Sequence, residues 1–389
     1  MSDVLRTLRE ARPDELAPDA PVDPEVRRAE LARAMAGGPG GAAGRAVPLP
    51  RTAARRWRPV WGLGLAGAAV AAALVAVSLP AADDADPGAG TSVAGGPVRT
   101  LDAGTVLLAA AAKTEARPAG AGAFWRVAKV DTRYYEVGEP GARYTIAVGS
   151  EHESWTPREP GGEVRSRQRE LGARAATPAD AAAWRRAGSP SAFSVEVPTT
   201  PGGGKLKPLR VTTAPGRVET SSSPLVDGDK VFWLGRNVTM KDLRALPADP
   251  AELKAELLRW YEGHDTESSS RPMEADAWLF RTSVGLVTDM PVEPRVRAAA
   301  FRMLAGLESV EGAGEVTDSR GRTGQGVAID EDTPLGTIRH RLVIDPASGR
   351  ALADEQVLLK PAAGVERAAG TVLSSAAVTA MEWTDSAPR

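Results

Sequence analysis

The chain has 389 residues and carries 48 lysines and arginines against 50 aspartates and glutamates, a formal net charge of −2. That balance argues against nucleic acid as a partner. It contains no cysteine, which excludes disulfides, thiolate nucleophiles and cysteine-ligated zinc or iron–sulfur sites together.

Residues 1–50 are expected to form a short helical or disordered cytoplasmic segment. Val4, Leu5 and Leu8 give a brief amphipathic pattern broken by Pro13 and Pro18, and Asp23-Pro24 starts a second helical stretch through Val26, Leu31 and Met35. These apolar residues are too few for a core, so the segment reads either as two short helices or as disorder that folds on a cytosolic protein partner. Residues 51–59 are a basic juxtamembrane stretch with Arg51, Arg55, Arg56 and Arg58.

Residues 60–79 form an uncharged apolar run of the length an α-helix needs to cross a bilayer. Arginines precede it and Asp83, Asp84 and Asp86 follow, which predicts a single-pass span in the plasma membrane, N-terminus cytoplasmic and C-terminal domain outside. A buried helix of a soluble domain would carry a polar stripe, and none is present. A cleaved signal peptide would begin nearer the N-terminus, so a retained signal-anchor fits better, although Ala76, Ser78 and Ala81 leave cleavage open. Gly62, Gly64 and Gly67 match the spacing of a dinucleotide-binding loop, but within a span they lack the strand-to-helix setting it requires. Their small size instead suits close packing of two spans.

Residues 80–99 read as a disordered linker, and residues 100–389 as an extracytoplasmic α+β domain. A helix is predicted over 103–114, then strands over 124–137, 144–155 and 163–171. Thr177-Pro178 opens a helix containing Trp184. The Pro/Gly/Thr/Ser-rich stretch 188–224 reads as loop with at most one strand, near 206–213. A strand at 230–234 and a short helix to Leu243 follow. The next helix, 251–261, presents Leu253, Leu257 and Trp260 as a buried stripe. Helices at 273–288 and 294–307 precede five strands: 309–318, 324–330, 337–345, 351–360 and 371–384. Residues 345–350 form a hairpin turn in which Gly349 takes positive φ. Strands, a helical insertion and a strand meander predict a mainly antiparallel sheet, with a half-barrel-like shape as one option for it.

No catalytic, cofactor-binding or metal-binding residue set emerges, and no cofactor is implied. His152 between Glu151 and Glu153 reads as a solvated charged edge, although a metal or acid–base site is the sharper alternative. His264 follows a helix C-terminus, and His340 beside Arg339 and Arg341 reads as a sheet-surface residue. Asp330-Glu331-Asp332 lacks calcium-loop spacing and suits a hairpin tip. Arg165, Arg167 and Arg169 make a basic stripe, suited either to anionic lipid or cell-wall polymer or to a protective edge strand. Asn237-Val238-Thr239 is a sequon for which helix capping also accounts.

The opening Val4-Leu5-Arg6-Thr7-Leu8-Arg9, the Arg-rich entry into an Ala/Gly-rich span, the segment 243–250, the turn 345–350 and Met381-Glu382-Trp383 together carry a resemblance. The chain resembles a family of uncharacterised actinobacterial single-pass membrane proteins, over most of its length and through structural motifs only. Its architecture is also similar to membrane-bound anti-sigma factors and, in the outer sheet, to the half-barrel of lipoprotein carriers. The zinc-binding His/Cys motif of many anti-sigma domains is missing.

These features predict a membrane-anchored envelope protein without enzymatic activity. Its outer domain would bind a lipid, peptide or cell-wall ligand in an apolar groove. The alternatives are a transmembrane regulator whose cytoplasmic segment binds a sigma factor, and an exported hydrolase using Glu151 or Glu153 with a facing carboxylate.

Overall fold

The computed structural model describes residues 101–200, 203–233, 236–266, 268–365 and 367–388. The expected cytoplasmic segment 1–50, basic stretch 51–59, membrane span 60–79 and linker 80–99 all lie outside the described residues. Among the described residues no helix is long and apolar enough to cross a membrane.

The described chain is α+β. Helix α1 (Ala103–Glu115) begins at Asp102, whose carboxylate accepts from the Thr105 amide at 2.9 Å. Strands β1 (Phe124–Val137), β2 (Tyr144–Pro157) and β3 (Glu163–Ala175) form a meander. Then come α2 (Pro178–Arg186), the hairpin β4 (Ala192–Thr200) and β5 (Gly203–Thr212), and β6 (Glu219–Pro224). A small hairpin, β7 (Lys230–Trp233) and β8 (Arg236–Thr239), leads into α3 (Met240–Arg244) and α4 (Pro250–Leu258). The pair β9 (His264–Asp265) and β10 (Ser268–Pro272) precedes α5 (Ala275–Thr288) and α6 (Pro294–Ala305). The chain finishes with β11 (Glu311–Thr317), β12 (Thr323–Thr333), β13 (Gly336–Ile344), β14 (Ala351–Pro361) and β15 (Thr371–Thr384).

Nine strands make one sheet in the order β11-β12-β13-β14-β15-β1-β2-β3-β6, and every pairing in it is antiparallel. The last strand inserts between β14 and β1, so it joins the early meander to the late one. Alternation along the strands gives the sheet two faces. The inner face is roofed in two places.

Helices α1, α4, α5 and α6 form the first roof. Leu107, Phe280, Leu286, Phe301 and Leu304 pack onto Val327, Ile329, Leu342, Ile344 and Ala351 of β12–β14. Helix α5 is the central piece, with Trp278, Leu279, Phe280, Val284, Leu286 and Val287 buried around most of its circumference. That pattern is expected of a helix sandwiched between other elements rather than lying at a surface. A glycine permits one close contact here: a Cβ at Gly285 would sit 3.2 Å from the Trp233 indole nitrogen. Gly349 does take φ +69°, and its turn packs against Ala110 of α1.

The second roof is the β4–β5 hairpin with α2. Phe193, Val195 and Val211 pack with Trp184 onto Tyr144, Ile146 and Ala173 at the far ends of β2 and β3. This corrects the loop reading of 188–224, which contains three strands. Phe193, Val195 and Val197 do alternate, but the surrounding Pro, Gly and Ser residues mask so short a pattern. β6 is exposed along its whole length and pairs with β3 as a polar edge, which suits an edge strand.

Two further expectations change. Leu253 and Leu257 are fully buried, whereas Trp260 is 40% exposed because α4 ends at Leu258, before its third turn. The Arg236 guanidinium covers that indole at 3.2 Å from the ring centroid. The Asp330-Glu331-Asp332 run lies within β12, not at the hairpin tip. Asp330 pairs outward with Arg339 at 2.7 Å, while Glu331 is buried on the inner face.

At the end near Ala351, β14 and β15 diverge: their ladder begins only at Ala353↔Ala377. Arg322 stitches the gap by donating to the Leu352 carbonyl at 2.8 Å and the Val378 carbonyl at 2.7 Å. Asp318, with no side-chain exposure, orients Arg322 through a 2.8 Å bond to Nε. An otherwise unpaired stretch of sheet backbone is thereby satisfied.

Candidate functional site: a polar belt on the inner face

Between the two roofs the inner face changes character. The register aligns Leu342, Asp354, Ala376, Asp131, Ser150 and Glu170 across six neighbouring strands. One step along, it aligns His340, Gln356, Ser374, Arg133 and Val148. On the other side lie Val378, Lys129, His152 and Gln168. Only Leu342 of the first row belongs to the apolar core.

Small residues floor the middle of this belt. Ala376 lies between Asp131 and Asp354, Ser374 is two residues along the same strand, and Ser150 lies beyond Asp131 on β2. The two carboxylate-bearing positions are two strand spacings apart, about 10 Å. Short side chains flanked by longer polar ones leave a recess.

The ionisable groups in it sit deep in the protein mass yet keep contact with solvent. Asp131, His152 and Asp354 are each half-buried, and among the described residues none has a hydrogen-bond or ion-pair partner. Burial raises the Asp131 carboxyl above its usual value, against the opposing charges of Lys129 and His152. Burial likewise raises Asp354, against His340, Lys129 and Arg281. Burial lowers the His152 imidazole in spite of Asp131 nearby. Desolvation therefore dominates at all three groups. Lys129 is tied down instead, bonding Asp289 at the end of α5 at 2.6 Å.

The first roof's border with the belt is ionic. His340 Nε2 lies 3.0 Å from Glu331, Glu331 pairs with Arg271 at 2.5 Å, and Asp265 pairs with Arg281 at 2.7 Å. Burial pushes the Glu331 carboxyl up, but His340, Arg271 and Arg281 together outweigh it and hold it below the usual range. This chain of paired charges locks β9–β10 and α5 to the sheet. It contrasts with the unpaired acids beside it.

The residues singled out from sequence are distributed as follows. His152 is on an interior strand, flanked by β1 and β3, and faces inward, so it is not a solvated edge. His340 is 4% exposed and likewise inward, not a sheet-surface residue. His264 starts β9, with Glu262 3.2 Å from its ring. Glu151 and Glu153 face outward, away from the belt. Glu153 is buried between Arg126, at 2.5 Å, and Arg167. Arg165, Arg167 and Arg169 do share the outer face of β3, opposite Trp155, Glu153 and Glu151. Thr239 caps α3 by accepting from the Asp242 amide at 3.0 Å, consistent with the capping reading of the sequon.

Asp131 and Asp354 were not singled out by sequence. Their signal was a polar interruption of otherwise apolar strand faces: Lys129, Asp131 and Arg133 between Val127 and Tyr135. No protein-family model, curated protein or solved structure matches the chain.

Proposed function

We propose that the chain is a membrane-anchored envelope protein whose 100–389 region is a ligand-binding domain without enzymatic activity, bound to the bilayer through residues 60–79. What carries the binding reading is the run of short side chains at Ala376, with Asp131 and Asp354 on either side of it and neither paired among the described residues. A fold gains nothing by burying carboxylates without partners, and such groups commonly mark sites awaiting one. The ligand class differs from the apolar groove first expected. Helices already fill the apolar part of the inner face, and the open part is polar. The recess therefore suits an extended, donor-rich ligand such as a peptide or a cell-wall peptide rather than an acyl chain. The carboxylates would accept from its amides or amine, with Ala376 leaving room for its backbone.

Calorimetric titration of the full-length protein with a peptide and muropeptide panel tests this reading. Binding by at least one member, weakened tenfold or more in both Asp131→Asn and Asp354→Asn, is expected. Binding unaffected by either substitution, or seen only for fatty acyl ligands, would overturn it.

A further inference from the structure

A second site lies at the seam where β14 and β15 part. Arg117, Arg126, Arg350 and Glu382 line a cleft of about 580 Å³ there, floored by residues 379–381 of β15. Arg117 follows the end of α1, and Arg350 closes the 345–350 turn, so both come from elements that meet at this seam.

The charges in the cleft do not balance. Glu382 is matched by Arg126 at 2.7 Å, and Arg126 is further held by Glu153. Asp345 is occupied within its own turn, accepting from Ser348 Oγ at 2.5 Å and from the Ala347 amide. Arg117 donates only to the Ser348 carbonyl, at 2.5 Å. Among the described residues, neither Arg117 nor Arg350 has a carboxylate partner.

A fourth arginine stands behind them. Arg297, on the first turn of α6, is nine-tenths buried, with its guanidinium 4.8 Å from the centroid of the Trp125 ring. It donates to the Met290 carbonyl at 2.8 Å, but its Nε has no partner. Burial, and then the charges of Arg117 and Arg350, push the Arg297 guanidinium down to about 9. Arg117 is lowered too, by burial and then by Arg350, against the opposing charge of Asp345. Three guanidinium groups thus repel one another, and Asp345, whose charge acts on Arg117, is hydrogen-bonded within its own turn and ion-pairs with none of them. Such an arrangement is costly unless an anion completes it, and guanidinium forks match tetrahedral oxyanions geometrically.

We propose that this cleft is an anion site that takes a phosphate group on Arg117 and Arg350, with Arg297 supplying positive charge from behind. The phosphate belongs either to a free phosphate ester or to a phospholipid headgroup, since the same forks read both.

The test is calorimetric titration of the full-length protein with inorganic phosphate and, separately, with a short-chain phosphatidylglycerol held below its micelle concentration. Arg350→Gln is exposed and leaves packing intact, Arg117→Gln is the second variant, and Arg186→Gln on α2 is the control. Binding of inorganic phosphate, weakened about tenfold by each of the first two substitutions and unchanged by the third, supports a free phosphate ligand. Binding of the lipid alone with the same dependence supports a headgroup. Absence of binding in both titrations, or binding that neither Arg350→Gln nor Arg117→Gln weakens, overturns the proposal. Neither titration involves Asp131 or Asp354, so its failure would leave the polar recess standing.

Discussion

Leu342 and Asp354 are direct neighbours on adjacent strands and share the inner face, yet they sit in different environments. Leu342 is sealed beneath the helical roof with Phe280 and Leu304, and Asp354 borders an open recess. One sheet face thus holds a half filled by buried apolar side chains and a strip of partly exposed polar ones, and the cover above it decides which is which. The comparison also separates two kinds of polar residue: those locked in pairs, such as Arg322 with Asp318, and those left without partners. The first kind serves the fold. The second kind is where a ligand would pay.

The filled half should be the most sensitive. Phe280→Ala removes a fully buried ring from the middle of the roof, and a loss of about 3–5 kcal/mol is expected in denaturant unfolding. A loss below about 1 kcal/mol would mean that the roof is not close-packed on the sheet. Next comes Arg322→Ala. It strands the buried Asp318 carboxylate and frees two carbonyls at the seam, for an expected loss of about 3 kcal/mol. Asp354→Asn should act in the opposite direction. Replacing a partnerless, desolvated carboxylate should raise stability at neutral pH by about 1 kcal/mol. A loss of similar size would show that Asp354 has a structural partner and would erase the contrast with Asp318.

The smallest effect is a pH slope. The His152 imidazole is held below its ordinary value, so between that lowered value and about 6.5 the unfolded chain binds more protons than the folded one. Stability should therefore rise with pH through this window, and His152→Gln should flatten the rise. The raised carboxyls of Asp131 and Asp354 act with the opposite sign. Stability falls as pH climbs from the ordinary carboxylate range to their raised values. Urea titrations of the wild type and His152→Gln between pH 4 and 7 check both signs.

Much of the fold was legible because the strong elements are locally consistent. Thr177-Pro178, Asp249-Pro250 and Glu293-Pro294 mark helix starts in the letters themselves, and β1 and β15 occupy the ranges expected of them, 124–137 and 371–384. The β4–β5 hairpin was not legible, because Phe193, Val195 and Val211 acquire meaning only against Tyr144 and Ile146, which lie far away in sequence. The recess was hidden for the same reason. Asp131 and Asp354 are separated by more than two hundred residues and become neighbours across Ala376 only because β15 inserts between β14 and β1. Likewise, Arg117, Arg297 and Arg350 belong to three distant segments that no spacing rule connects.

The lack of native cysteine makes the open recess directly measurable by thiol labelling. Single substitutions Ala376→Cys and Ser150→Cys should react with a maleimide in the native protein. Ala299→Cys, in the sealed part of α6, should react only after unfolding. Protection of Ala376→Cys to the same degree as Ala299→Cys would contradict an open polar belt on the inner face.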